Sequence, residues 1–242
     1  MHLFQFLCLL SWLCLGFQPN IKAQNIYQLN ARREAPVIGL SLASGWGGWS
    51  LGRHASPLTP ADLAALDRKR LMPMDRKSTY WQSNRAKKAS DLVFYGATLA
   101  PLVLLADPNT RKEAAVISVL YLETLSLNSG LTELTKNLAK RSRPYTYKPD
   151  YPLAPKLGRD ARKSFFSGHT SSTAASCFFA AKVWSDYHSG NRWKPLVWAT
   201  AASIPAITGF LRMRAGKHFF TDVAVGYSIG ATIGYLIPVL HR

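Results

Sequence analysis

Acidic residues are scarce in this chain: thirteen Asp and Glu stand against thirty Lys and Arg, a formal net charge of +17 over 242 residues. The imbalance points to an anionic partner, such as nucleic acid, a phosphate ester or an acidic membrane surface. Cysteine is sparser still. Cys8 and Cys14 lie in an apolar N-terminal stretch and only Cys177 lies elsewhere, so a mature chain with one thiol has no internal disulfide. Leu7 and Leu13, not small residues, precede the early cysteines, which excludes lipoprotein attachment there. Charge is missing from three long runs: Leu3 to Phe17, Pro195 to Leu211 and Val223 to Leu240. Also missing are a recognition helix, zinc-ligand spacing and an aromatic strand motif beside the basic residues, which argues against nucleic acid.

What is present divides the chain in three. Residues 1–23 read as a secretory signal or signal anchor, with Ala23 in "QPNIKAQ" at a cleavage position and no Lys or Arg ahead of the run; a buried first helix is the alternative. Residues 24–90 are polar and basic, with short helices. They carry a turn signal at "SGWGGWS" (Ser44 to Ser50) and a helix start at Thr59, where Pro60 and Asp62 occupy the first turn. Residues 91–242 are a helical domain of five apolar runs: Leu92 to Ala106, Ala114 to Asn128, Thr170 to Ala181, Pro195 to Leu211 and Val223 to Leu240.

The fold expected is all-α, a bundle of five to six helices. The last two runs have seventeen and eighteen residues without charge, and a membrane crossing needs about 17 to 25 apolar residues. Runs that are apolar all round suit lipid better than the two-faced helices of soluble proteins. Glu123 is a carboxyl group inside the second run. It is expected to face the bundle interior or a polar end and to need a partner such as an arginine, with no part in chemistry. His2, His54, His188 and His241 read as surface or tail residues.

If the helices alternate in direction, the polar segments at Leu131, Thr170, Leu211 and Phe219 fall on one side, gathering Lys136, Arg143, His169, Arg212, His218 and Asp222. Such a face suits a phosphate. Arg143 and Arg212 offer forked donors, Lys136 a point charge, and Ser167 with Gly168 stand just before a helix start that favours an anion. His218 and Asp222, four apart, share a helix face; the carboxylate is expected to accept from Nδ1 and leave Nε2 free for attack. His169 can then protonate the leaving oxygen and later take a proton from water.

These residues resemble the type 2 phosphatidic acid phosphatases (PAP2), which share their site with bacterial nonspecific acid phosphatases and vanadium haloperoxidases. The family pattern is Lys, six residues, Arg-Pro; Pro-Ser-Gly-His; and Ser-Arg, five residues, His, three residues, Asp. Here stand Lys136 with Arg143-Pro144, Phe166-Ser167-Gly168-His169, and Leu211-Arg212 with His218 and Asp222. The resemblance covers roughly Asp91 to the C-terminus. It implies that Lys136, Arg143, Ser167, Gly168 and Arg212 bind phosphate, that His218 carries a phosphohistidine oriented by Asp222, that His169 is the general acid, and that no metal or other cofactor is needed. Phe166 and Leu211 depart from the family Pro and Ser, neither at a reacting group.

A site at the water boundary of a helical bundle suits a phosphorylated lipid whose tails stay among the membrane lipids: a polyprenyl diphosphate, phosphatidate, phosphatidylglycerophosphate or lipid A phosphate. The N-terminal segment implies a cell-envelope protein with the active face outside, although the segment Leu131 to Ser167, with nine basic and three acidic residues, opposes that by the positive-inside rule. The spare cations Lys140, Arg141, Arg159, Arg162, Lys163 and Arg214 read as a solvated rim, with anionic-lipid binding the alternative. Other readings are a soluble periplasmic acid phosphatase, a vanadate-dependent haloperoxidase, or a non-catalytic membrane protein that binds anionic lipid.

Overall fold

The structure, a computed structural model, describes residues 26–242. The stretch 1–23, read as a signal or anchor, lies outside the described residues. Six long helices make the fold: α1 Ala31–Arg53, α2 Asn84–Leu99, α3 Ala114–Ala139, α4 Gly168–Tyr187, α5 Lys194–Arg214 and α6 Phe220–Leu240. No strand occurs among the described residues. Side-chain oxygens start several of them: Asn30 accepts from the Arg32 amide at 2.9 Å and Ser83 from the Ala86 amide at 3.1 Å. A 3-10 segment, Ala100–Ala106, prolongs α2.

Two parallel helix pairs are built on small residues. Along α1 and α3, a Cβ on Gly48 would come within 2.7 Å of the Leu134 amide nitrogen, and one on Gly130 within 3.0 Å of the Ser41 carbonyl. The glycines and serines of "SGWGGWS", read from sequence as a turn, instead lie inside α1, because missing side chains let its backbone rest on α3. A region expected to hold only short helices thus contains one of 23 residues. The short helix Pro60–Ala64 is present too, with Thr59 and Asp62 capping each other.

In the second pair, Gly226, Gly230 and Gly234 recur every fourth residue on α6 and meet the backbone of Ser167, Ser171 and Ala175 on α4. This is the small-residue packing that lets two helices approach closely in lipid. Gly230→Leu is expected to destabilise the fold by about 1–3 kcal/mol, because a Cβ there meets the Ser171 carbonyl. Thermal unfolding in detergent checks this. Gly96→Leu, where nothing lies within 4 Å of a Cβ, should leave the midpoint in place.

Four helical stretches are long and apolar enough to cross a membrane: Asn84–Ala106, Ala114–Tyr147, Lys194–Arg214 and Phe220–Leu240. Their outward faces carry Leu92 and Val103, 74% and 73% exposed, with Tyr95, Ile207, Phe210 and Leu236. Lipid covers such surface without cost, whereas water would not. Helix α4, with buried Thr170, Ser171, Thr173, Ala174, Ala175 and Ser176, runs through the interior, which explains its short and hydroxyl-rich apolar run. The protein is an integral membrane helical bundle.

Two expectations fail at the far end of the bundle. Among the described residues no arginine pairs with Glu123; its neighbours are Glu34 and His241, and His241 is fully buried, neither a surface nor a tail residue. Helices α1, α3 and α5 run toward the motif-bearing end, and α2, α4 and α6 away from it.

Candidate active site

The N-termini of α4 and α6 and the C-termini of α3 and α5 converge at one end. Helix α5 closes with the Gly216 amide on the Met213 carbonyl at 2.8 Å and the Lys217 amide on the Arg212 carbonyl at 3.1 Å. That Schellman turn needs the left-handed φ of 69° that Gly216 adopts. It places Arg212 in the last helical turn and delivers His218 in the linker before α6.

His218 is 2% exposed. Its Nδ1 lies 2.8 Å from the Ser164 carbonyl oxygen, which can only accept, so Nδ1 carries the hydrogen and Nε2 keeps its lone pair. Arg143 Nη1 donates to that lone pair at 3.1 Å. The expected partner, Asp222, stands 3.6 Å from Nδ1, beyond hydrogen-bond length. His218 precedes α6 instead of sharing its face with Asp222, and a loop carbonyl takes the place the carboxylate was assigned. Asp222 holds that loop: Oδ2 accepts from Ser164 Oγ at 2.5 Å and from the Phe219 amide at 2.9 Å. Burial, followed by the charges of Arg143, Arg212 and Lys136, holds the His218 pKa well below the usual imidazole value. The ring is therefore neutral at physiological pH.

The other predicted residues surround it. Arg143 is fixed by Asp160 through Nε to the carbonyl oxygen at 2.9 Å and Nη2 to Oδ1 at 2.9 Å, and Nη1 also donates to the Lys217 carbonyl at 3.0 Å. Lys136 lies beside the start of α4, where a Cβ on Gly168 would be 3.2 Å from Nζ. Ser167 is fully buried, and its hydroxyl pairs with Thr170 Oγ1 at 2.9 Å and caps α4. The first-turn amides of α4 are left as the anion donors there.

His169 is 31% exposed at its side chain, with Nε2 3.0 Å from Asp91 Oδ1. The same carboxylate oxygen accepts from Arg212 Nη1 at 3.1 Å, while Arg212 Nε is buried without a partner. Phe94 packs on the imidazole, ring centres 4.6 Å apart. Burial and the Arg212 charge lower the His169 pKa to about 4, against the opposing pull of Asp91.

Sequence reasoning missed Asp91, Asp160, Ser164 and the role of Arg141. Asp91 stands in the sequence only as the start of the helical domain, and Ser164 contributes a backbone oxygen that has no sequence signal. Arg141, assigned to a solvated rim, instead bridges two fully buried carboxylates: Nη2 to Asp75 Oδ2 at 2.7 Å and Nη1 to Asp222 Oδ1 at 2.5 Å. Two buried carboxylates this close need one shared cation.

A neutral, oriented imidazole ringed by guanidinium and ammonium groups at the end of a membrane bundle suits phosphoryl chemistry. The PAP2 superfamily model matches residues 117–242, and the chain belongs to that superfamily. It is a phosphate ester hydrolase. Decaprenylphosphoryl-5-phosphoribose phosphatase of Mycobacterium tuberculosis, from strains CDC 1551 and H37Rv, is 27% identical over 144 residues, spanning 57% of this chain and 67% of that protein. The crystal structure of a transmembrane PAP2-type phosphatidylglycerolphosphate phosphatase from Bacillus subtilis aligns over 98% of this chain and 94% of its own, at 18% identity and a TM-score of 0.41.

Proposed function

We propose that the protein hydrolyses a lipid phosphate or diphosphate through a phosphohistidine on His218, with no metal in the reaction. The observation that carries this reading is the His218 ring, whose Nδ1 is fixed on Ser164 and whose Nε2 lone pair faces Arg143. A phosphoryl oxygen takes over the Arg143 donor and frees the lone pair, which attacks phosphorus. The bond to the leaving oxygen breaks, and His169 gives that oxygen a proton. In the second half, His169 takes a proton from water, the water oxygen attacks phosphorus, and the bond to Nε2 breaks to release inorganic phosphate. Lys136, Arg143, Arg212 and the first amides of α4 stabilise the charge in transit.

The lipid part of the reading rests on two supports. The reactive end lies where apolar outward faces give way to a basic loop, so a headgroup reaches the histidines while its tails remain in lipid. The mycobacterial relative, by its name, acts on a decaprenyl-linked phosphate. The outer-face expectation does not follow from this fold: Gln28 and Glu34 pack against His241 at the end away from the reactive histidines, so an N-terminal segment that delivers them outside would turn the active end inward, the side that the basic segment Leu131 to Ser167 favours as well. The test is inorganic phosphate release by detergent-solubilised protein, with EDTA present, from polyprenyl diphosphate, phosphatidate, phosphatidylglycerophosphate and lipid A phosphate. Release from at least one supports the reading. A folded protein that releases none contradicts it.

The pH dependence follows from the two histidines. His218 stays neutral well below the ordinary imidazole range, whereas His169 must be protonated to act as acid and its pKa is about 4 in the free protein. Lowering pH therefore supplies the acid without losing the nucleophile. kcat/KM is expected to rise from pH 8 to about pH 5 after correction for substrate ionisation. Asp91→Asn, which removes the group raising the His169 pKa, should move the rise to lower pH. A profile falling below pH 6.5 would contradict the assignment.

A further inference from the structure

Glu34, Glu123 and His241 meet inside the bundle at the end away from the reactive histidines. Glu34 is in the first turn of α1, Glu123 lies within α3, and His241 directly follows α6. They are 6%, 5% and 0% exposed. Glu123 precedes Lys136 by thirteen residues of one helix, about 20 Å along its axis, so the cluster stands apart from the phosphate site.

His241 Nδ1 lies 2.7 Å from the Ile237 carbonyl oxygen. Nδ1 therefore carries a hydrogen, and in the neutral ring Nε2 has the lone pair. Nε2 faces Glu34 Oε1 at 3.0 Å and Glu123 Oε2 at 3.5 Å. Both Glu123 oxygens and His241 Nε2 are buried without hydrogen-bond partners. Among the described residues, no Lys or Arg pairs with either glutamate. Electron-rich atoms facing one another in a buried space repel unless a proton or a metal ion lies between them, and zinc uptake separates the two.

We propose that Glu34, Glu123 and His241 form a structural site for a divalent cation of the zinc class. One imidazole and two carboxylates are a donor set that zinc accepts. Donor atoms about 2.0–2.1 Å from a tetrahedral zinc lie about 3.3 Å from one another, and the two separations from Nε2 bracket that value. One donor atom from each residue falls within 4.8 Å of the other two. The Ile237 carbonyl supplies the orienting bond that metal-bound histidines commonly have. The ion would tie α1 to α3 and to the end of α6, where the Gln28 amide already donates to the His241 carbonyl at 2.8 Å.

The experiment uses the full chain, purified in detergent without a polyhistidine tag and dialysed against metal-free buffer. Zinc content, thermal unfolding and visible absorption after Co2+ addition are measured before and after Zn2+ is supplied. The expected result is about one Zn2+ per chain, an unfolding midpoint raised by Zn2+ and lowered by chelator, and intense tetrahedral Co2+ bands. Glu123→Gln, which keeps the side-chain shape, and His241→Asn should each weaken Zn2+ binding by at least about tenfold to a hundredfold. Initial phosphate release, read well below the unfolding temperature, should not depend on Zn2+. A wild type that takes up neither Zn2+ nor Co2+ and whose midpoint ignores both ion and chelator overturns the proposal. So does binding that both variants retain at full affinity, since the ion then lies elsewhere.

Discussion

His218→Asn is expected to lower kcat by about 10⁴-fold or more while leaving the fold intact. The asparagine amide can keep the hydrogen bond that Nδ1 gives to the Ser164 carbonyl, so the linker before α6 retains its anchor. What disappears is Nε2, the atom assigned to attack. Residual turnover from the cations alone should remain, because oriented positive charge stabilises a transferring phosphoryl group without a covalent intermediate. Phosphate release and thermal unfolding, measured on the same preparations, separate lost chemistry from lost structure.

Arg143→Lys should cost about 10²- to 10³-fold in kcat/KM. The change keeps the charge but removes the fork. Arg143 spans Asp160, the Lys217 carbonyl and His218 Nε2 at once, and an ammonium group cannot hold that set in one plane. The linker carbonyl of Lys217 and the nucleophile would lose their common partner. Steady-state kinetics on the best substrate, with a Lys136→Arg control, reads the effect. A loss under about tenfold would mean that Arg143 acts as a point charge only.

The helices were legible in the sequence where hydrophobic runs were unbroken, and the gathering of the candidate residues where residue types recur at fixed spacing. All five expected runs are helices, and Lys136, Arg143, His169, Arg212, His218 and Asp222 do gather at one end. Failures cluster where neighbours from distant parts of the chain decide the outcome. "SGWGGWS" has the composition of a turn, and only the presence of α3 beside it makes its glycines useful in a helix. Spacing put Asp222 on His218, but the helix begins two residues after the histidine, and so a backbone oxygen is nearer. Arg141 looked like one more cation in a basic loop until Asp75, sixty-six residues away, was folded against it. Glu123, expected in the interior or at a polar end, is buried, yet its partners come from both ends of the described chain. Asp91 was invisible because a lone aspartate at the edge of an apolar run has no local signature.

The measurement that tests the central claim most directly is trapping of the phosphoryl group. Protein mixed with a 32P-labelled lipid phosphate is quenched in alkali within the first turnovers, and the labelled residue is mapped by mass spectrometry. A label on His218 that survives alkali, is released by acid and is absent from His218→Asn is the predicted result. Rapid phosphate release by His218→Asn at the wild-type rate, or a label carried by any other residue, would contradict it.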